Sequence, residues 1–169
     1  WHIWFGDERC LPADDQDRNS VMVEKMLTSK VAIPEKQVHI IAAESGPELA
    51  AEQYRVLLQE VPPFDMVLLG IGEDGHTASL FPGHEFAHDR TVLPVYNAPK
   101  YPAQRVTLSP AMLSRCHHLL FLVTGRSKSA AVSRWQRGEK LPVRLIRAIE
   151  DAVVLIDRQA ASENNPDND

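Results

Sequence analysis

The stretch FDMVLLGIGEDGHTASLFPG, Phe64 to Gly83, decides how the chain is read. Its first residues form an apolar run short enough for a β-strand covered on both faces. Gly72-Glu73-Asp74-Gly75-His76 follows at once, and TASLF resumes after it. A glycine-rich turn behind a buried strand is a common way to place side chains at the mouth of an α/β site, although the same residues also suit a plain tight loop.

Outward from this stretch, apolar runs alternate with helical patterns. Upstream, WHIWF at 1–5 reads as a strand interior, and Asn19 or Ser20 can cap a helix over VMVEKMLTSK that ends before Pro34. Ser45 precedes GPELAAEQYRVLLQE, where Leu49, Tyr54, Leu57 and Leu58 share a face and Pro62-Pro63 stops the helix. Downstream, residues 91–95, 104–108 and 119–123 suit strands, and Arg126 to Gln136 suits a helix. A last helix over Pro142 to Glu150 leads into AVVLID. This alternation predicts a three-layer α/β/α fold with a mainly parallel, Rossmann-like sheet, in one domain over residues 1–160. Residues 161–169, ASENNPDND, are polar and predict a disordered tail.

Composition narrows the function. With 169 residues, 44% of them hydrophobic, the chain can bury a sizeable core. No run approaches the ~20 apolar residues of a membrane span. A net charge of −5 argues against nucleic acid and acidic membranes as partners, so an anionic small molecule needs a local basic pocket. The two cysteines, Cys10 and Cys116, lack metal-like spacing, which predicts reduced thiols in a cytoplasmic protein. Neither a nucleophile elbow, a P-loop nor a dinucleotide fingerprint is present, and no residues have the spacing of metal ligands. Oligomeric state is not set by the sequence.

In parallel sheets, ligands gather beyond the carboxyl ends of strands, where three polar clusters are expected. They are Gly6-Asp7-Glu8-Arg9, Gly72 to His76, and Thr124-Gly125-Arg126-Ser127-Lys128; the last, a helix start with a cation, suits a phosphate. A fourth, Arg105-Val106-Thr107, lies on or near a strand. A lone basic residue in a loop is usually a solvated surface group, and only the shared placement argues for more. His76 has two open readings: an imidazole facing a cleft for proton transfer, or a residue of a capped turn in which Asp74 accepts backbone N–H bonds.

FGDERCLPADDQDRNS, DMVLLGIGEDGHTASLFPG, QRVTLSPAML and LVTGRSKSAAV, in that order and followed by AVVLIDRQAA, resemble the 6-phosphogluconolactonases of the glucosamine-6-phosphate isomerase superfamily. GEDGHTASLFPG is the most specific part. The resemblance implies hydrolysis of 6-phosphogluconolactone in the pentose phosphate pathway, on a sugar-phosphate substrate, with no metal and no organic cofactor. It also implies His76 as general base, with Asp74 shaping the turn or orienting water and imidazole, and Gly72 and Gly75 as substrate- or phosphate-binding residues. Arg9 would stabilise the oxyanion or hold the sugar acid, Arg105 and Lys128 would hold phosphate, and Asp7 and Glu8 would lie behind Arg9.

The deaminases of the same superfamily share the glycine-Asp-Gly-His turn but typically continue with an Ala-Phe-Asn-Glu-Pro-like run and carry tyrosine where Arg9 stands. Thr77 to Pro82 and Asp7-Glu8-Arg9 favour the lactonase over such a deaminase. A non-catalytic sugar-phosphate-binding relative is the third alternative. The family's N-terminal Ser-Gly-Gly-Thr-Pro-like phosphate loop has no counterpart here, so the resemblance predicts a chain lacking the family's N-terminal segment, with apolar surface open around WHIWF.

Overall fold

The computed structural model describes residues 1–87 and 89–161, which fall into two compact units. The expected tail lies outside the described residues except for Ala161. One unit comprises Trp1–Val61 and Phe86–Ser109, the other Pro62–Glu85 and the chain from Pro110 onward.

The first unit holds strands β1 (Ile3–Trp4), β2 (Asp7–Arg9) and β3 (Val38–His39), helices α1 (Asn19–Val23) and α2 (Pro47–Leu57), and, further along the chain, strands β5 (Val92–Val95) and β6 (Arg105–Leu108). β1 and β3 pair in parallel, whereas β2, β6 and β5 form an antiparallel sheet in that order. The cluster expected after the first strand is therefore itself a strand. WHIWF pairs over only two residues because its partner β3 is that short, and Trp1 is 83% exposed, which corrects the expectation of a buried strand over 1–5.

Helix α2 packs on β5 and β6. Its buried face is Pro47, Ala50, Ala51 and Tyr54, while Leu49 and Leu57 point to solvent. The expected leucine face is thus wrong for those two; small alanines let the helix approach the strands closely. Tyr54 ties this helix to β1 and β3: its hydroxyl accepts from Phe5 N at 2.9 Å and lies 3.1 Å from the His39 carbonyl oxygen. Burial pushes the Tyr54 phenol well above its ordinary range. At α1, which runs on into a π-helical turn over Glu24–Thr28, neither Asn19 nor Ser20 supplies the cap. The fully buried Glu8 carboxylate of β2 does so, accepting from Asn19 N and Ser20 N, each at 2.8 Å.

The second unit is built on a parallel sheet of β4 (Phe64–Leu69), β7 (Cys116–Val123) and β8 (Asp151–Ile156), with helices α3 (Pro110–Leu113), α4 (Ser129–Gln136) and α5 (Arg158–Ala161). One sheet face is buried through Val67, Leu69, Leu119, Phe121 and Val123. Trp135 of α4 meets Phe121 edge-on, with ring centroids 5.0 Å apart. The opposite face presents Met66, Leu68, Leu122, Val153 and Leu155 to solvent. β4 is therefore covered on one face, not two. The expected helix over Pro142 to Glu150 is a single 3-10 turn, Pro142–Leu145. Beyond it the backbone donors find distant partners: Arg147 N bonds Ser114 Oγ, and Ile149 N bonds the Cys116 carbonyl at 2.8 Å.

Candidate active site

In the second unit, β4 and β7 are parallel neighbours, so the loops leaving their carboxyl ends start at the same edge of the sheet. The first of these loops carries His76. Gly72 N donates to the His76 carbonyl at 2.7 Å and Gly75 N to the Gly72 carbonyl at 3.0 Å, which closes the turn. Within it, Asp74 Oδ1 accepts from His76 N at 3.1 Å and lies 2.6 Å from His76 Nδ1. One carboxylate oxygen thus fixes both the backbone and the imidazole of the same residue. In the neutral form of the imidazole, Nδ1 engaged as donor leaves the lone pair on Nε2. Burial pushes the Asp74 carboxyl up, but the hydrogen bonds from His76 outweigh it and hold the group below its ordinary range.

The glycines are required by shape. A Cβ on Gly72 would stand 2.0 Å from His76 Nδ1, inside the imidazole. Gly75 has φ +93° and a Cβ there would meet Leu141 Cδ2 at 2.8 Å. The ring also rests against Phe81, centroids 4.8 Å apart, and Thr77 Oγ1 anchors the turn to the Gly70 carbonyl at 2.8 Å. Ala78 adopts φ +47°, a strained conformation for a residue with a side chain. From α4, Arg134 Nη1 donates to the Asp74 carbonyl at 3.1 Å. No sequence pattern marks Arg134 or the anchoring role of Thr77, since each acts through a backbone carbonyl.

The second loop carries Lys128, half-buried at the start of α4. Gly125, with φ +91°, turns the chain there, and its N–H is held by Asp157 Oδ2 at 2.9 Å. Asp157 is a further positioning group that sequence reading missed.

The first unit places the other expected residues. In the β2–β6 register Asp7 faces Thr107 and Arg9 faces Arg105, so both arginines project from one sheet face while Glu8 projects from the other. Burial, then the Arg9 charge, lowers the Arg105 pKa, with Asp7 opposing. Arg105 Nε and Nη2 donate to the Pro102 carbonyl at 3.1 Å and the Lys100 carbonyl at 2.9 Å, so this guanidinium holds the 100–102 turn. Arg9 Nη1 donates to the Asp17 carbonyl, and its buried Nε makes no hydrogen bond. Asp7 accepts from Asn19 Nδ2 at 3.1 Å.

Within the units, then, the structure brings Asp74 to His76 and Arg9 to the face of Arg105. Among the described residues no group of three or more His, Cys, Asp or Glu is arranged to hold a metal ion, and no helix is long and apolar enough to cross a membrane.

Residues 1–155 match the family described as glucosamine-6-phosphate isomerases/6-phosphogluconolactonase. A human protein named 6-phosphogluconolactonase is 37% identical over 158 residues, which is 87% of this chain and 61% of the human one. The chain spans 55% of the length of the rat relative of the same name, at 39% identity over 79% of this chain. Among solved structures, 6-phosphogluconolactonase from Thermotoga maritima superposes with a TM-score of 0.84 at 29% identity, covering 92% of this chain and 72% of that one.

Proposed function

The chain belongs to the family of glucosamine-6-phosphate isomerases and 6-phosphogluconolactonases, and from that premise we propose that it hydrolyses 6-phospho-D-glucono-1,5-lactone to 6-phosphogluconate in the oxidative pentose phosphate pathway. The observation that carries this reading is the 2.6 Å contact between Asp74 Oδ1 and His76 Nδ1. An imidazole held in this way keeps Nε2 as acceptor, the state a general base needs. His76 Nε2 takes a proton from water as the water oxygen bonds to the lactone carbonyl carbon. The tetrahedral adduct then collapses, the bond from that carbon to the ring oxygen breaks, and the proton passes from the imidazole to the departing oxygen. No metal or organic cofactor enters these steps.

In this proposal Arg9 stabilises the oxyanion or holds the sugar acid, and Arg105 and Lys128 hold the phosphate. Lys128 at the start of α4 suits an anion. The two carbonyl bonds of Arg105 favour a guanidinium that shapes its turn as well as supplying charge. Asp7 and Glu8 act behind Arg9. We take residues 1–160 as one lactonase-like domain and the cytoplasm as its location, the latter supported by two free thiols.

Relatives at 37% and 39% identity carry the lactonase name, and Thr77 to Pro82 follows the lactonase pattern, which favours this reading over a deaminase. The test is direct. Purified protein is given the phosphorylated lactone, gluconolactone without phosphate, and glucosamine 6-phosphate, with spontaneous lactone hydrolysis subtracted. The proposal expects turnover of the first, a lower kcat/KM for the second and none of the third. Ammonia release from glucosamine 6-phosphate would establish the deaminase instead, and binding without turnover would establish a non-catalytic relative.

A further inference from the structure

Arg18 is one of the largest fully buried side chains among the described residues, at 1% exposure, and no role for it follows from the sequence, although it lies within the FGDERCLPADDQDRNS stretch. A buried guanidinium is costly unless charge and hydrogen bonds surround it. Its Nη1 donates to Glu44 Oε2 at 2.6 Å and its Nη2 to the Ile41 carbonyl at 2.7 Å, while Nε stands 3.5 Å from the buried Glu8 Oε2. The guanidinium therefore joins three segments: β2 through Glu8, the residues after β3 through Ile41, and Glu44.

What this clamp holds is the setting of Arg9. Arg18 ends the turn over residues 15–18, in which Arg18 N donates to the Asp15 carbonyl at 3.0 Å and Asp17 N to Asp15 Oδ1 at 2.9 Å. The carbonyl of Asp17, the residue immediately before the clamped one, accepts from Arg9 Nη1. At the other end of Arg9, its backbone N–H donates to Glu8 Oε1 at 2.8 Å. Both grips on Arg9, the Asp17 carbonyl at its guanidinium and Glu8 at its backbone, are thus anchored by one side chain. With Nε of Arg9 unbonded, the Asp17 carbonyl is the hydrogen bond that aims the guanidinium.

We infer that Arg18 is a positioning residue for Arg9, fixing the direction of its guanidinium through the Asp17 carbonyl and Glu8 without touching substrate. This rests on the proposed use of Arg9 in the reaction. Lysine keeps the charge but not the planar fork, so Arg18→Lys should loosen the clamp while leaving Glu8 with a cation.

The experiment is a double-mutant cycle on the full chain with the phosphorylated lactone, using Arg9→Ala, Arg18→Lys and the double variant, each assayed well below its own unfolding temperature. Arg18→Lys should lower kcat/KM about 10- to 100-fold, the scale of a misaimed group, and should cost nothing more once Arg9 is absent. Glu44→Gln, at a more exposed partner of the clamp, should shift kcat/KM the same way by less and serves if Arg18→Lys does not fold. Losses that multiply in the double variant would overturn the inference and leave the role of Arg9 standing. For Glu44→Gln the same criterion applies in the Arg9→Ala background. An unchanged kcat/KM in folded Arg18→Lys would also overturn it. An Arg9→Ala protein as active as wild type would overturn both the inference and the role given to Arg9.

Discussion

Asp74 and His76 meet because they stand two residues apart in one glycine turn, whereas Arg9 and Arg105 share a face only because β2 and β6 pair in one antiparallel register. In the first region the backbone of a single loop brings the groups together, and Gly72 and Gly75 clear the space. In the second, distant segments must be aligned first, and the buried Glu8 and Arg18 tie β2 to the start of α1, to Ile41 and to Glu44. A local turn can place chemistry with little help from the core. A register-borne site draws on the core's own polar interior, so damage to it should appear first as lost stability.

That contrast can be broken most forcefully at Glu8. Glu8→Leu removes the acceptor of three backbone N–H bonds and leaves Arg18 without its buried partner, so urea unfolding should show a loss of about 3–5 kcal/mol. A loss below about 1 kcal/mol would mean that the first unit does not depend on this pair. Gly72→Ala probes the other side of the contrast: its Cβ must displace the imidazole, so kcat should fall about 100-fold while the unfolding temperature moves little. Comparable kcat in the variant would show that the ring need not lie where it does. Gly75→Ala should cost about 1–3 kcal/mol of stability, from its positive φ and the contact with Leu141, measurable in the same urea assay.

The smallest effect is a pH dependence. Asp74 has a lowered pKa in the folded chain, so its stabilisation is complete above the ordinary carboxylate pKa and is lost as pH falls through the folded value. The stability difference between wild type and Asp74→Asn should therefore be constant above about pH 5 and shrink below about pH 4. Because the Asp74 side chain is 42% exposed, the change should be slight. A difference that grew in acid would reverse the assigned direction.

The local turn was also the more legible of the two regions. Gly72 to His76 declares its geometry in consecutive residues, and the strands on either side of it were visible as apolar runs. The antiparallel β2–β6–β5 sheet was not, because register depends on partners that no single segment names. The sequence pattern locates helix α2 but suggests a face that includes Leu49 and Leu57, whereas close packing on β5 and β6 selects Ala50 and Ala51. Residues 142–150 carried a helix-start proline, yet Ser114 and Cys116 claimed the backbone donors that a helix would have used. The burial of Arg18 has no signal in the sequence, since an arginine beside a candidate capping asparagine looks like ordinary surface until Glu8, Ile41 and Glu44 close around it.

We propose His76, held by Asp74, as the general base. Its most direct test is kcat for the phosphorylated lactone in His76→Ala beside wild type, with uncatalysed hydrolysis subtracted and binding of 6-phosphogluconate measured in parallel. The account predicts a fall of about 10²–10⁴-fold in kcat with product affinity nearly unchanged. A folded His76→Ala protein that keeps the wild-type kcat would contradict it.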